Sequence, residues 1–157
     1  MELLNANSYQ KGSWVLHMLR KEVGDEDFNT AIRDYYKKYT LSNALSDDLK
    51  SVFEGRTGKD LDQFFKQWVY QAGQPEIEGS WKYRKGEVQI NLEQVQSEDF
   101  MFDLEASAIF EDGSQERFTI TVSEKKQKFS KPLDQKPVKI ILDPDTWLLF
   151  KGSLSEK

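Results

Sequence analysis

The sequence of 157 residues contains no cysteine and only one histidine, His17. Without cysteine, the chain forms no disulfide bond and offers no thiolate nucleophile or metal ligand. With one histidine, it cannot supply by itself the two histidines of an H-E-x-x-H zinc site, and every Ser–His–Asp scheme would depend on His17. These two shortages restrict the active sites that this chain can build alone.

Long apolar segments and clustered cations are also lacking. No apolar run approaches the ~20 residues that span a bilayer, and no signal peptide is visible at the N-terminus. The net charge is -5, which disfavours nucleic acid as a partner because phosphate binding needs clustered cations. Aromatic residues make up 13% of the chain, which argues against disorder. We expect a soluble folded chain with no membrane-spanning segment, in a compartment that the sequence leaves open.

An apolar helix is predicted at residues 9–24, YQKGSWVLHMLRKEVG. Ser8 is the expected N-cap, and Gly24 the expected end, because glycine takes the left-handed conformation at little cost. The apolar side chains cover more than half of the helix circumference, so we expect this helix to be covered on several sides. They are Trp14, Val15, Leu16, Met18, Leu19 and Val23.

Three further helices are predicted before residue 76. The second runs from Asp25 to about Tyr39, with aromatic and apolar residues at spacings of three and four. Ser46 is the expected cap of the third helix, whose first turn is acidic, as the helix dipole favours. Asp60 is expected to open the fourth helix, which ends near Gly73.

After Pro75 the apolar period changes from 3.6 to 2, which predicts about seven short strands and a β-sandwich. The last strand is predicted at residues 147–150. The fold class is therefore α+β, with two segregated domains at residues 1–75 and 76–157. The expected inward side chains of the sandwich are Trp81, Val88, Ile90, Leu92, Phe102, Leu104, Phe118, Ile120 and Val122.

Two motifs carry a resemblance to a known family. Tyr-x-Lys-Gly at residues 9–12, followed by Leu-His-Met-Leu-Arg at 16–20, resembles a segment of the membrane alanyl aminopeptidase family. These are zinc peptidases of the gluzincin type, and they include leukotriene hydrolase. Gly-x-Asp-Leu and Phe-Phe-x-Gln-Trp at residues 58–68, followed by Gly73 and Pro75, resemble the end of the family's catalytic domain. The match covers about residues 3–76 in family order.

This resemblance implies a C-terminal fragment of a zinc-dependent aminopeptidase that removes N-terminal residues from peptides. Residues 1–75 would be the helical end of a thermolysin-like catalytic domain, and a β-sandwich follows that domain in several members. The zinc ligands and the general base would lie upstream, so zinc belongs to the full-length parent and this chain supplies no metal ligand. The chain alone is expected to lack the zinc site and to be inactive.

Tyr9 is the one catalytic residue that the resemblance assigns to this chain. In the family, the corresponding tyrosine donates a hydrogen bond to the oxyanion of the tetrahedral intermediate, which stabilises the transition state more than the ground state. Without the resemblance, a tyrosine at a helix start is expected to pack its ring and to satisfy its hydroxyl locally. His17 matches no catalytic position and is interpreted as a hydrogen-bonding residue on the polar side of its helix.

Two alternatives stay open. One is a non-catalytic scaffold or protein-interaction module on the same fold, and the other is an independent binding module. An upstream H-E-x-x-H with a downstream glutamate would decide for the enzyme. The expected partners are a peptide substrate in the parent and the missing N-terminal part of the catalytic domain. Self-association of the fragment is also expected, because the first helix has more apolar surface than three short helices cover.

Overall fold

The computed structural model describes the backbone of residues 6–157 and the side chains from Tyr9 onward. The chain divides into two compact units, of which the first ends at Ala72 and the second is Gly73–Lys157. The first unit is helical and the second contains strands. The predicted α+β class is therefore confirmed. Among the helices described, none has the length and apolar character needed to cross a membrane.

From residue 6 onward, the helical unit contains four helices, the last of which continues into a π-helical turn. Their bounds are α1 Ala6–Val23, α2 Asp25–Tyr39, α3 Ser46–Thr57, α4 Asp62–Phe65 and the π-helical turn Lys66–Tyr70. Gly24 ends α1 as predicted, with φ 87°, and its N–H donates to the carbonyl of Arg20 at 2.8 Å.

Three predicted helix starts are wrong by one to three residues. α1 begins at Ala6, so Ser8 lies in its first turn and is not the N-cap. The N-cap of α3 is Leu45, one residue before Ser46. The reason is a hydrogen bond from the Leu45 N–H to the carboxylate of Asp48 at 2.8 Å, which also lowers the pKa of Asp48. α4 begins at Asp62, because the carboxylate of Asp60 accepts from the Asp62 N–H at 2.9 Å.

The core of the helical unit is an apolar cluster contributed by all four helices and the loop before α4. α1 reaches this cluster through its second half, where Val15, Met18 and Leu19 are buried. Trp14 and Leu16 are only half-buried, so part of the wide apolar arc stays open to solvent. The fully buried members of the cluster are Leu19, Ala31, Phe53, Leu61 and Phe65.

The β unit consists of two sheets that share one hydrophobic core, which confirms the predicted sandwich. One sheet has the strand order β5-β2-β1-β7 and the other has the order β4-β3-β6. All pairs are antiparallel except β1 with β7, which are parallel. The strands are β1 Glu76–Arg84, β2 Glu87–Gln94, β3 Phe102–Ile109, β4 Gln115–Val122, β5 Lys126–Pro132, β6 Lys139–Leu142 and β7 Lys151–Glu156.

The last predicted strand is wrong, because residues 147–150 are irregular, with a bend at Leu148, and come after a turn at residues 144–145. Asp143 is buried and has φ 46°. Its carboxylate accepts from the N–H groups of Trp147 at 2.9 Å and Leu148 at 2.8 Å. These side-chain bonds occupy the donors that a strand would offer to its neighbour, so pairing with β1 begins only at Lys151.

The predicted inward face of the sandwich is correct at seven of its nine positions. Phe102 and Phe118 are half-buried and pack against the margin of the core. Phe118 instead stacks on Phe129, with ring centroids 5.3 Å apart. The fully buried phenylalanine of this region is Phe100, which precedes β3 and is 1% exposed.

Candidate active-site helix

Tyr9 lies in the first turn of α1 and presents its ring to solvent, with 64% of the residue exposed. Its backbone carbonyl accepts a hydrogen bond from the hydroxyl of Ser13 at 2.9 Å, one turn later in the helix. The expectation of a packed ring at the helix start therefore does not hold in this unit. An exposed phenol on a helix can donate a hydrogen bond to a group that approaches from outside the unit.

Lys11 connects the same turn of α1 to a segment 60 residues away. Its ammonium group donates to the backbone carbonyl of Gln71 at 3.1 Å. Gln71 directly follows the π-helical turn Lys66–Tyr70, and its own N–H bonds the carbonyl of Lys66 at 2.9 Å. The sequence identifies Lys11 as part of the Tyr-x-Lys-Gly motif. No local sequence pattern predicts its hydrogen bond to Gln71, because the two residues are 60 positions apart.

Two other exposed tyrosines differ from Tyr9 in their surroundings. Tyr70 is 57% exposed, and its hydroxyl donates to the carboxylate of Asp47 at 2.7 Å. This hydrogen bond to a carboxylate raises the pKa of Tyr70. Tyr36 is 74% exposed on α2, at a distance of 27 residues from Tyr9 in the sequence. Neither belongs to the motif that carries the resemblance.

The residues present do not fit a catalytic zinc ion. His17 is half-buried on α1 beside Trp14, with ring centroids 6.2 Å apart. Within residues 9–157, where side chains are described, the group of potential ligands close enough to share a metal is Glu54, Asp60 and Asp62, which does not include His17. A set of three carboxylates lacks the nitrogen ligands of the aminopeptidase type of zinc site.

The closeness of these three carboxylates is explained by the hydrogen bonds and the ion pair that they form at the start of α4. Glu54 accepts from the Leu61 N–H at 3.0 Å, and Asp60 accepts from the Asp62 N–H at 2.9 Å. Asp62 forms an ion pair with Lys50. The three carboxylates therefore hold the turn between α3 and α4, and nothing in their geometry requires a metal.

An apolar groove of about 360 Å³ runs along α1 within the helical unit. We use "apolar groove" for this feature, with Lys11 and Ser46 as its polar members. Its walls are side chains of α1, α3, α4 and the π-helical turn. The apolar ones are Val15, Leu16, Leu19, Leu49, Phe65, Trp68 and Val69.

The helical unit is similar in sequence to a domain of known peptidases. The model of the peptidase family M1 domain matches residues 1–68. Aminopeptidase M1-C of Oryza sativa subsp. japonica is 40% identical over 76 residues, which are 48% of this chain and 9% of that protein. Aminopeptidase N of Lactococcus lactis subsp. lactis is 36% identical over 69 residues, or 44% and 8% of the two chains. The matched part of the chain thus spans about a tenth of these relatives.

The fold of the two units is also found in solved structures of other proteins. Legionella pneumophila aminopeptidase A, in complex with aspartic acid, aligns with a TM-score of 0.78 over 97% of this chain and 18% of that one. The sequence identity is 16%, so this likeness is one of fold. The similarities together confirm the resemblance carried by the motifs at residues 9–20 and 58–75.

Proposed function

We propose that this chain, whose residues 1–68 match the peptidase family M1 domain, is a portion of a zinc-dependent aminopeptidase that removes N-terminal residues from peptides. The match of residues 1–68 to the family's domain carries this proposal. The parent's zinc ligands and general base would lie upstream, since this chain has one histidine and no cysteine. Alone, the chain would be inactive.

We assign to Tyr9 the role of hydrogen-bond donor to the oxyanion of the parent's tetrahedral intermediate. Two observations support it: the Tyr-x-Lys-Gly motif, and the 64% exposure of Tyr9 on α1. A donor held in place before the reaction stabilises the charge that develops in the transition state. A phenol already packed into its own unit could not reach a peptide bound by the parent.

The upstream part of the catalytic domain is the partner that we propose for the apolar groove. The groove is lined almost entirely by apolar side chains, among them the half-buried Leu16, and Trp14 on the same helix is half-buried as well. Contiguous apolar surface of this kind marks an interface more often than a free surface. The peptide substrate would then bind between the upstream part and the Tyr9 side of α1.

A paired assay of this chain and the full-length protein tests the proposed function. We expect the chain alone to bind zinc no more tightly than surface carboxylates do, and to leave aminoacyl substrates intact. The full-length protein should bind zinc stoichiometrically and cleave them. Calorimetry with zinc and a chromogenic aminopeptidase assay provide the measurements. Tight zinc binding by the chain alone would contradict the proposal, and a full-length protein without zinc or turnover would favour the non-catalytic scaffold.

We also expect the isolated chain to self-associate through its helical unit. The apolar groove and the exposed Leu41 and Leu45, which are 104% and 73% exposed, offer apolar surface that water solvates poorly. Sedimentation velocity over a concentration series should show mass increasing with concentration. Leu16→Glu, within the groove, should shift the chain toward monomer, whereas Val138→Glu, at a position of the β unit that is 58% exposed, would serve as the comparison. A monodisperse monomer at high concentration would exclude this expectation.

A further inference from the structure

The packing of α1 is uneven along its length. Its buried side chains are Val15, Met18 and Leu19, all beyond the second turn. Tyr9 and the residues at positions 10, 12 and 13 are exposed, and Lys11 between them is half-buried. The turn that carries Tyr9 therefore receives little hydrophobic anchoring from the described part of its own unit.

Lys11 provides a polar anchor at this turn. Its ammonium group donates to the carbonyl of Gln71 at 3.1 Å in a partly buried setting. Gln71 stands at the carboxyl end of a continuous helical segment, residues 62–70, that includes the π-helical turn. Carbonyl groups at a helix end lack intrahelical donors, and the negative end of the helix dipole attracts a cation. Both effects favour the ammonium group at this place.

The segment that receives this bond is itself firmly packed. Phe65, Gln67 and Trp68 are buried, at 2%, 3% and 4% exposure. The Gln71 carbonyl directly follows this packed segment. A hydrogen bond to it therefore restrains the first turns of α1 relative to the core of the helical unit. Tyr9 precedes Lys11 by two residues, so a tilt of the turn moves its hydroxyl directly.

We propose that Lys11 is a positioning residue, which sets the orientation of the Tyr9 phenol by anchoring α1 to the Gln71 carbonyl. This inference rests on the proposed function, because it assigns to Lys11 a share in the alignment of the oxyanion donor. Catalysis is sensitive to such alignment, since a misplacement of about 1 Å can lower a rate by about 10²-fold.

Kinetics of the full-length protein test the effect on catalysis. Lys11→Met keeps the aliphatic stem and removes the ammonium group, and it should lower kcat by about 10-fold to 10²-fold with little change in KM and none in zinc content. Lys11→Arg retains a cationic donor and should restore most of the activity. Lys37→Met, at an exposed position of α2, is the matched control and should behave as the unchanged enzyme. A normal kcat for Lys11→Met would overturn the proposal.

A double-mutant cycle separates positioning from general support of the fold. If Lys11 acts through Tyr9, Lys11→Met should change kcat by less than about twofold in a Tyr9→Phe background, because the hydroxyl to be positioned is absent. Losses that multiply would show that Lys11 acts elsewhere. An inactive wild-type protein, or a Tyr9→Phe variant with normal kcat, would instead refute the proposed function.

Amide hydrogen exchange on the 157-residue chain tests the anchor without any activity. Lys11→Met should speed exchange at residues 10–13 and leave the amides of α3 unchanged, since only the first turns of α1 lose their tether. Lys11→Arg should preserve the exchange rates. Unchanged exchange at residues 10–13 in Lys11→Met would overturn the anchor, even if the enzyme variant could not be purified.

Discussion

Replacing Tyr9 by phenylalanine in the full-length protein should lower kcat by about 10²-fold to 10³-fold, the loss typical of one oxyanion donor. The change removes one hydroxyl and leaves the ring, on a residue that is 64% exposed in its own unit. The stability of the protein should therefore stay nearly unchanged. KM should also change little, because the hydrogen bond is made mainly in the transition state.

Steady-state kinetics with an aminoacyl substrate would measure this loss. Tyr36→Phe is the matched control, since Tyr36 is also exposed, at 74%, and lies on α2 outside the motif. It should keep the kcat of the unchanged enzyme. If Tyr9→Phe retained full kcat while zinc content and KM were normal, Tyr9 would have no part in the chemistry and its exposure would serve an interface only.

The helices were largely predictable because each has a periodic apolar face and a local end signal. Gly24 ends α1 at the predicted place, since its φ of 87° is a conformation that glycine adopts easily. The helix starts were less predictable, because several polar side chains compete for the first N–H groups. At α3 the Asp48 carboxylate bonds the Leu45 N–H, so the helix is capped from within its first turn and Ser46 is not needed as the cap.

Contacts between distant segments were the part that the sequence could not supply. β7 pairs in parallel with β1, about 75 residues earlier, as the Glu76–Lys151 register shows. No local alternation marks that pairing. The Asp143 carboxylate holds the preceding turn, and its effect depends on a φ of 46° that a residue type alone does not fix.

Of the candidate site, the sequence predicted only the residues that belong to the Tyr-x-Lys-Gly motif. Tyr-x-Lys-Gly identifies Tyr9 as a candidate, whereas its exposure and the bond from Lys11 to Gln71 require the folded unit. The single histidine predicts that this chain alone cannot supply two histidine ligands to a zinc ion, because residue types that bind zinc can be counted without coordinates. The proposed remainder of the site, with its zinc ligands, cannot be predicted from the residues of this chain.

A buried polar residue, Gln94, shows why the core of the β unit was only partly predictable. Its side chain is 1% exposed. Its amide nitrogen donates to the carbonyl of Phe100 at 2.9 Å, and its amide oxygen accepts from the Phe100 N–H at 3.0 Å. The two bonds satisfy the backbone N–H and carbonyl of Phe100, which lies two residues before β3 begins. Alternation alone would assign Phe100 and Phe102 the same burial.

Phe100→Ala should destabilise the β unit by about 3–5 kcal/mol, the range for truncating a fully buried phenylalanine. Phe100 is 1% exposed, and the two hydrogen bonds to Gln94 fix its backbone. Phe102→Ala is the matched control, and it should lower the free energy of unfolding by less than Phe100→Ala because Phe102 is half-buried.

Urea denaturation followed by tryptophan fluorescence, with Trp81 in the core, would give both free energies of unfolding. Equal losses for the two variants would contradict this prediction, because they would mean that the lower exposure of Phe100 has no effect on stability.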